Sequence, residues 1–192
     1  MCRPPSAPEL AEAVGRERLR DRERQLRARP QPDVRRDRLD HAQVRAVLVV
    51  PRAQPGLSGP AEEDAFRRLV PSPERSAEIA QLVLTSLLPA LVEDDVGEFG
   101  GALTRVQELV GDAFAEVQGG RFHPRAGALV EALLREGAAG AGQSSWGPAV
   151  YGIAGSEASG RALADRMAGI VGDEGSVGLV TFDNRGALVE RQ

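Results

Sequence analysis

The amino-acid sequence predicts an α+β fold, a small and mainly antiparallel sheet covered by helices. Three observations lead there. A β-branched run, Val44-Arg-Ala-Val-Leu-Val-Val-Pro51, stands ahead of a long block with helical spacing; a Gly-rich segment interrupts that block; and two more strand-like runs follow with one helix between them. Strands that bracket a run of helices, rather than alternating regularly with them, pair into one sheet with the helices on its face.

The run from Val44 to Pro51 has the composition of a buried strand closed by proline. The loop Gln54-Pro-Gly-Leu-Ser-Gly-Pro60 places Ser58 to cap a short helix ending near Val70. Glu62, Glu63 and Asp64 fall in the first turn of that helix, where acids complement its dipole. After Pro71-Ser-Pro73 a second helix takes Ser72 or Ser76 as N-cap. It aligns Ile79, Leu82, Val83, Leu87 and Leu88 near a 3.6 repeat, and Pro89 bends or ends it. Phe99, Leu103, Val106, Val110, Phe114 and Val117 keep three- or four-residue spacings, marking a long amphipathic helix between Glu93-Asp-Asp95 and Gly119-Gly120. A helix over Ala126–Arg135 ends with Gly137 as its C-cap. Ala149–Ala154 and Val177–Phe182 read as strands around a helix over Glu157–Val171. A turn at Asp183-Asn-Arg-Gly186 leads to a short last strand, Ala187–Val189.

Charge divides the chain in two. Residues 1–45 hold twelve Arg against eight acidic residues, whereas 46–192 hold twelve against twenty. The expected organisation is therefore an Arg-rich extension over 1–45 and a folded α+β domain over 46–192. From Arg16 to Arg45 apolar residues are too few to form a buried face, so the tract is a solvated helix or disordered. Acidic residues alternate with its arginines and no aromatic residue interleaves, which argues against a nucleic-acid arm. No run approaches the roughly 18 apolar residues of a membrane span, and the opening Met-Cys-Arg-Pro-Pro-Ser lacks a signal-peptide core, so a cytoplasmic location is expected. The expected partners are small-molecule substrates, with neither nucleic acid nor membrane; homodimerisation is left open.

Several chemistries are excluded at once. All 24 basic residues are Arg, so the chain contains neither a Schiff-base lysine nor a P-loop lysine. Cys2 is the lone cysteine and can form no internal disulfide. His41 and His123 have no ligand-spaced neighbours, so no metal site is read from the chain; His123 is expected in a loop.

The segment Gly137–Gly152, Gly-Ala-Ala-Gly-Ala-Gly-Gln-Ser-Ser-Trp-Gly-Pro-Ala-Val-Tyr-Gly, carries the strongest functional signal. It joins five glycines to Gln143, Ser144, Ser145 and the only Trp and Tyr of the chain. Closely spaced glycines let a backbone turn its N–H groups onto an anion, although most such loops are simple turns. Trp146 is either a flat wall for a ring or an anchor for the loop.

The string Gly-Ala-Gly-Gln-Ser-Ser-Trp-Gly-Pro-Ala-Val-Tyr-Gly over 140–152 resembles the β-ribofuranosylaminobenzene 5'-phosphate synthases, a branch of the GHMP kinase superfamily. Three further stretches agree with it: Val49-Val-Pro51 followed by Gly56-Leu-Ser-Gly59, Glu63 and Phe66; Leu88-Pro-Ala-Leu91 with Phe99-Gly100; and Gly111, Phe114 and Gln118-Gly-Gly120. The resemblance runs from residue 46 to about 182. It implies the C-terminal half of a two-domain fold. It also implies condensation of phosphoribosyl pyrophosphate with 4-aminobenzoate or 4-hydroxybenzoate, with loss of CO2 and pyrophosphate, on the way to tetrahydromethanopterin. Mg2+ on the phosphates is implied as well. Gly140, Gly142, Gln143, Ser144, Ser145 and Trp146 become the expected substrate-binding residues, and no catalytic acid or base is assigned. The first half of such a protein should hold a Gly-Leu-Gly-Ser type phosphate loop. Here Leu10–Arg16 resembles only the end of the helix after it, and Arg16–Gln43 is expected to be an out-of-frame reading of the region that follows, in a truncated or frameshifted product. The alternatives are a small-molecule kinase of the superfamily, which would bind ATP, and a non-catalytic binding domain.

Overall fold

A computed structural model of the chain describes residues 43–182. Cys2, His41, the arginine tract up to residue 42 and the expected last strand at Ala187–Val189 lie outside these residues. The expected first strand forms as β1, Arg45–Pro51. It is followed by α1 (Pro60–Arg68), α2 (Pro73–Leu82), α3 (Leu88–Glu93), α4 (Val96–Gln118) and α5 (Gly127–Arg135). Then come β2 (Gly140–Gln143), β3 (Val150–Ala154), α6 (Glu157–Val171) and β4 (Gly175–Thr181). The four strands form one antiparallel sheet in the order β2-β3-β1-β4. As the first strand in sequence, β1 lies inside the sheet and joins β3 on one side to β4 on the other.

Register decides the core. Val47 pairs with Gly152 and Leu179, and Val49 pairs with Val150 and Val177. On a two-residue period these side chains share one face. There Val47, Val49 and Val150 are fully buried in a cluster with Leu133 of α5 and with Leu163 and Met167 of α6. Each such side chain contributes about 1.5–3 kcal/mol by leaving water. The caps form where the sequence offers them. Ser72 accepts from the Arg75 N–H, Asp95 from the Glu98 N–H, and Ser156 forms a reciprocal box with Ser159. Gly137, at φ 95°, ends α5 by sending its N–H to Leu134 while Ala138 bonds to Leu133.

Four expectations need correction. Ser58 caps nothing: Gly59 occupies the N-cap position of α1, with Pro60 behind it and no side-chain cap. Of the two effects expected of Pro89, bending or ending its helix, the ending does not occur. Without an N–H the proline cannot satisfy the carbonyl four residues back, and the chain widens into a π turn over Val83–Leu87 before continuing as α3. The composite helix Pro73–Glu93 is long and apolar enough, by length and composition alone, to cross a membrane. It lies along α4, tied there by the Glu78–Arg105 ion pair at 2.9 Å, with Ile79, Leu82, Val83 and Leu87 half-buried and Leu84, Leu88 and Val92 exposed.

The third correction concerns α4. Its expected stripe from Phe99 to Val117 is only half-buried, and its most buried positions include Gly100 and Gly111. Without side chains, Gly100 lets this helix approach the start of β2 and Gly111 lets it approach Arg121 in the following loop, and apolar periodicity cannot register either approach. The fourth concerns the sheet, whose helices do not keep to one face. A side chain at Gly152 would meet Leu133 of α5, while one at Gly140 would collide with the Gly100 backbone of α4. Gly152 pairs with Ala141, the neighbour of Gly140, so the two helices cover opposite faces at this edge.

Candidate functional site at the β2–β3 turn

The segment expected to be a Gly-rich loop divides into three. Gly137 caps α5, Gly140–Gln143 forms the wholly buried strand β2, and only residues 144–149 form a turn. Gly140 and Gly142 are glycine because α4 lies against them. A side chain at Gly140 would meet backbone, and one at Gly142 would meet Gln107 and the Tyr151 hydroxyl. Neither has positive φ. The outward N–H of Ala141 donates to Thr104 Oγ1 at 2.9 Å, which covers the sheet edge, and Ser144 N–H donates to the Ala149 carbonyl at 2.9 Å. The anion nest suggested by glycine spacing is therefore not what this backbone forms.

Gln143 is the buried polar group of the described residues, only 7 % exposed. Its Oε1 accepts from the His123 N–H at 2.6 Å, and its Nε2 donates to the Ser145 carbonyl at 2.8 Å and to Gln118 Oε1 at 3.4 Å. With both ends engaged, the amide ties the turn to the loop after α4. His123 is a loop residue, as expected, and its Nδ1 accepts from the Arg125 N–H at 3.2 Å. Ser145 sits at φ 51°, a left-handed conformation unfavourable to a residue with a side chain; its carbonyl bond to Gln143 and the burial of Trp146 hold it there. Gly147 N–H returns to the Ser144 carbonyl at 2.9 Å, and Gly56 N–H donates to the Gly147 carbonyl at 3.1 Å, docking the loop before α1.

The structure realises the anchoring role open to Trp146. The residue is 6 % exposed, and its ring meets Phe66 and Phe114 edge-on at centroid distances of 5.6 and 4.9 Å. Its Nε1–H donates to Glu62 Oε1 at 2.8 Å. Glu62 thus serves as the indole's acceptor, a role that first-turn capping had concealed. The pairing joins positions 84 residues apart, and no local pattern signals it.

Beside this cluster opens a cavity of about 130 Å³ along the C-terminal half of α4. Phe66, Phe114, Phe122 and Trp146 supply aromatic walls, and Gln107 and Ser145 supply polar groups. Arg121 also borders it. Its guanidinium is already held by Asp112 at 2.7 and 3.0 Å, with Glu108 at 3.8 Å, and these partners raise its pKa further. Nearby, burial pushes the Tyr151 phenol upward and keeps it neutral. Ser144 and Ser145 are exposed on the turn. Of the expected binding residues, Ser144, Ser145 and Trp146 therefore lie on the turn or the cavity wall, Gln143 lies beneath them, and Gly140 and Gly142 lie in the strand. Among the described residues no three His, Cys, Asp or Glu side chains converge to hold a metal.

Residues 87–172 match the family described as GHMP kinases C terminal. Over 144 residues the chain is 31% identical to the beta-ribofuranosylphenol 5'-phosphate synthase of Methanothermobacter thermautotrophicus, covering 74% of this chain and 42% of that protein. A protein of the same name from Archaeoglobus fulgidus is 40% identical over 145 residues, covering 74% and 43%. The chain thus spans less than half the length of these curated relatives. Among solved structures, L. major mevalonate kinase in complex with R-mevalonate superposes with a TM-score of 0.51 at 14% identity, over 72% of this chain and 43% of that one; the likeness is one of fold.

Proposed function

From the match of residues 87–172 to the GHMP kinase C-terminal family, we propose that the chain forms one side of a site joining a phosphoribosyl donor to an aromatic acid. The observation that carries this reading is the kinship, at 31 and 40% identity over about three-quarters of the chain, with proteins named beta-ribofuranosylphenol 5'-phosphate synthase. In the proposed reaction the bond from ribose C1 to pyrophosphate breaks with its electrons leaving on pyrophosphate. The aromatic ring supplies the pair for a new bond to C1, and departure of CO2 from the same ring carbon restores aromaticity. The acceptor is 4-hydroxybenzoate or 4-aminobenzoate.

This half of the site offers aromatic walls and neutral hydroxyls. Ser144 stands exposed on a turn held by Gln143 and Trp146, which suits hydrogen bonding to oxygens of a sugar phosphate without reorganisation. Mg2+ is proposed for the phosphates, yet the described residues supply no ligand set for it. The cationic and metal-binding groups such a donor requires are assigned to the portion of the relatives' length that this chain does not span.

Thermal shift of the purified chain tests the reading. A ligand at about 100 times its Kd stabilises by about 2.7 kcal/mol, a shift of several degrees. Phosphoribosyl pyrophosphate or either benzoate is expected to raise the melting temperature and ATP to leave it unchanged. A shift with ATP alone supports the kinase alternative, and no shift with any of them overturns the reading for this chain.

A further inference from the structure

We propose that the cavity beside Trp146 is the subsite for the substrate's aromatic ring, and that it takes the ring by its uncharged end, with the carboxylate left outside. The inference rests on the synthase reading for the identity of the ring and on the cavity itself for the orientation.

Size comes first. A cavity of about 130 Å³ is close to the roughly 150 Å³ apolar cavity that accommodates benzene, so its size matches one six-membered ring. The walls agree. Trp146, Phe66 and Phe114 meet edge-to-face at 70–86°, so faces and edges border the same space, which is how a flat ring is packed.

Charge then sets the orientation. The one cation on the wall, Arg121, is bound twice by Asp112 and approached by Glu108, which Arg105 also holds together with Glu78, so three carboxylates stand against two guanidiniums and the cluster carries a net negative charge. An incoming carboxylate would compete with Asp112 and Glu108 for the same guanidinium and would meet that net negative charge. Gln118 is committed to the Arg121 carbonyl at 2.7 Å, and Gln143 is engaged at both ends of its amide. Among the described residues, the lining polar side chains that make no hydrogen bond are the Gln107 amide and the Ser145 hydroxyl, both neutral. They match the hydroxyl or amino group opposite the carboxylate. Gln107 is placed by packing on the strand, since its side chain fills the space above Gly142.

This orientation serves the reaction. A hydroxyl or amino group donating to the Gln107 carbonyl pushes electron density into the ring as positive charge develops there. The carbon that bears the carboxylate, where the new bond forms, is left facing the phosphoribosyl donor.

Trp146 is the only tryptophan in the chain, so its emission reports the cavity directly. The full chain is titrated with phenol, 4-hydroxybenzoate and benzene-1,4-dicarboxylate, with calorimetry in parallel. Saturable emission changes are expected with the first two and none with the dicarboxylate. Val110→Phe, which fills the cavity, should abolish binding, and Gln107→Leu should weaken it about five-fold, the effect of losing one hydrogen bond. Circular dichroism verifies that each variant is folded; if Val110→Phe is not, Gln107→Leu decides. Equal binding of the dicarboxylate, no saturable signal from any ligand, or wild-type affinity in a folded variant overturns the proposal. Calorimetric binding of 4-hydroxybenzoate that leaves Trp146 emission unchanged sinks the cavity while sparing the synthase reading. Saturable binding of phenol without 4-hydroxybenzoate sinks the carboxylate-out orientation. If phosphoribosyl pyrophosphate also fails to bind, the synthase reading falls with it.

Discussion

The two halves of the segment from Gly140 to Ala149 meet opposite demands. Residues 140–143 are buried in an edge strand whose glycines let a helix backbone lie on the sheet, whereas Ser144 and Ser145 are exposed on a turn with a strained backbone. A glycine-rich composition unites the halves in sequence, yet glycine serves packing in one and Gly147, at φ 73°, serves chain reversal in the other. The comparison teaches that a ligand-binding composition can mark the platform under a site as well as the site itself.

The largest effect is expected in the buried half. Gly140→Ala sets a methyl group against the Gly100 backbone, which cannot swing aside as a side chain would. A loss of about 3 kcal/mol follows, the upper end for overpacking, or roughly 10 °C in a thermal melt. A melting temperature within a degree or two of wild type would show that α4 can move away from β2, and the distinction between platform and turn would fail.

Next comes a contrast across the boundary. Gln143→Ala leaves the His123 N–H and the Ser145 carbonyl without their partner and should cost about 2 kcal/mol in urea unfolding. Ser144→Ala, one residue on and exposed, should change stability by less than about 0.5 kcal/mol. Equal effects of the two would erase the boundary between the halves. The smallest shift runs the other way. Ser145→Gly relieves the left-handed strain and should gain about 0.5–1 kcal/mol by the same measurement. A loss would mean that the serine side chain itself holds the turn.

Much of this architecture is legible in the amino-acid sequence. The β1 run, the caps at Ser72, Asp95 and Gly137, the helix after Ser156 and the strands on either side of it follow from local chemistry, because composition, capping groups and period act within a few residues. Illegible are the features set by what stands opposite in space. Thr104 covering the β2 edge, Glu62 accepting from Trp146 and Gly100 meeting Gly140 join positions 37, 84 and 40 residues apart, respectively, with no repeat or motif linking them. The candidate site shows the same division. Ser144, Ser145 and Trp146 stand out in an unusual string, whereas Gln107, Phe66 and Phe122 look like ordinary helix and loop residues until the fold brings them to one cavity.

By itself the sequence determined the fold class and the order of the elements apart from β2, and it singled out Gly137–Gly152 as a candidate stretch, because those depend on backbone preference, composition and hydrophobic period. Only the tertiary structure decided which glycines are there for packing, which polar groups are already engaged, and that Trp146 is both an anchor and the wall of a ring-sized cavity. Those outcomes depend on hydrogen-bond partners and close contacts between distant residues, and they exist only once α1, α4 and the β2–β3 turn have come together.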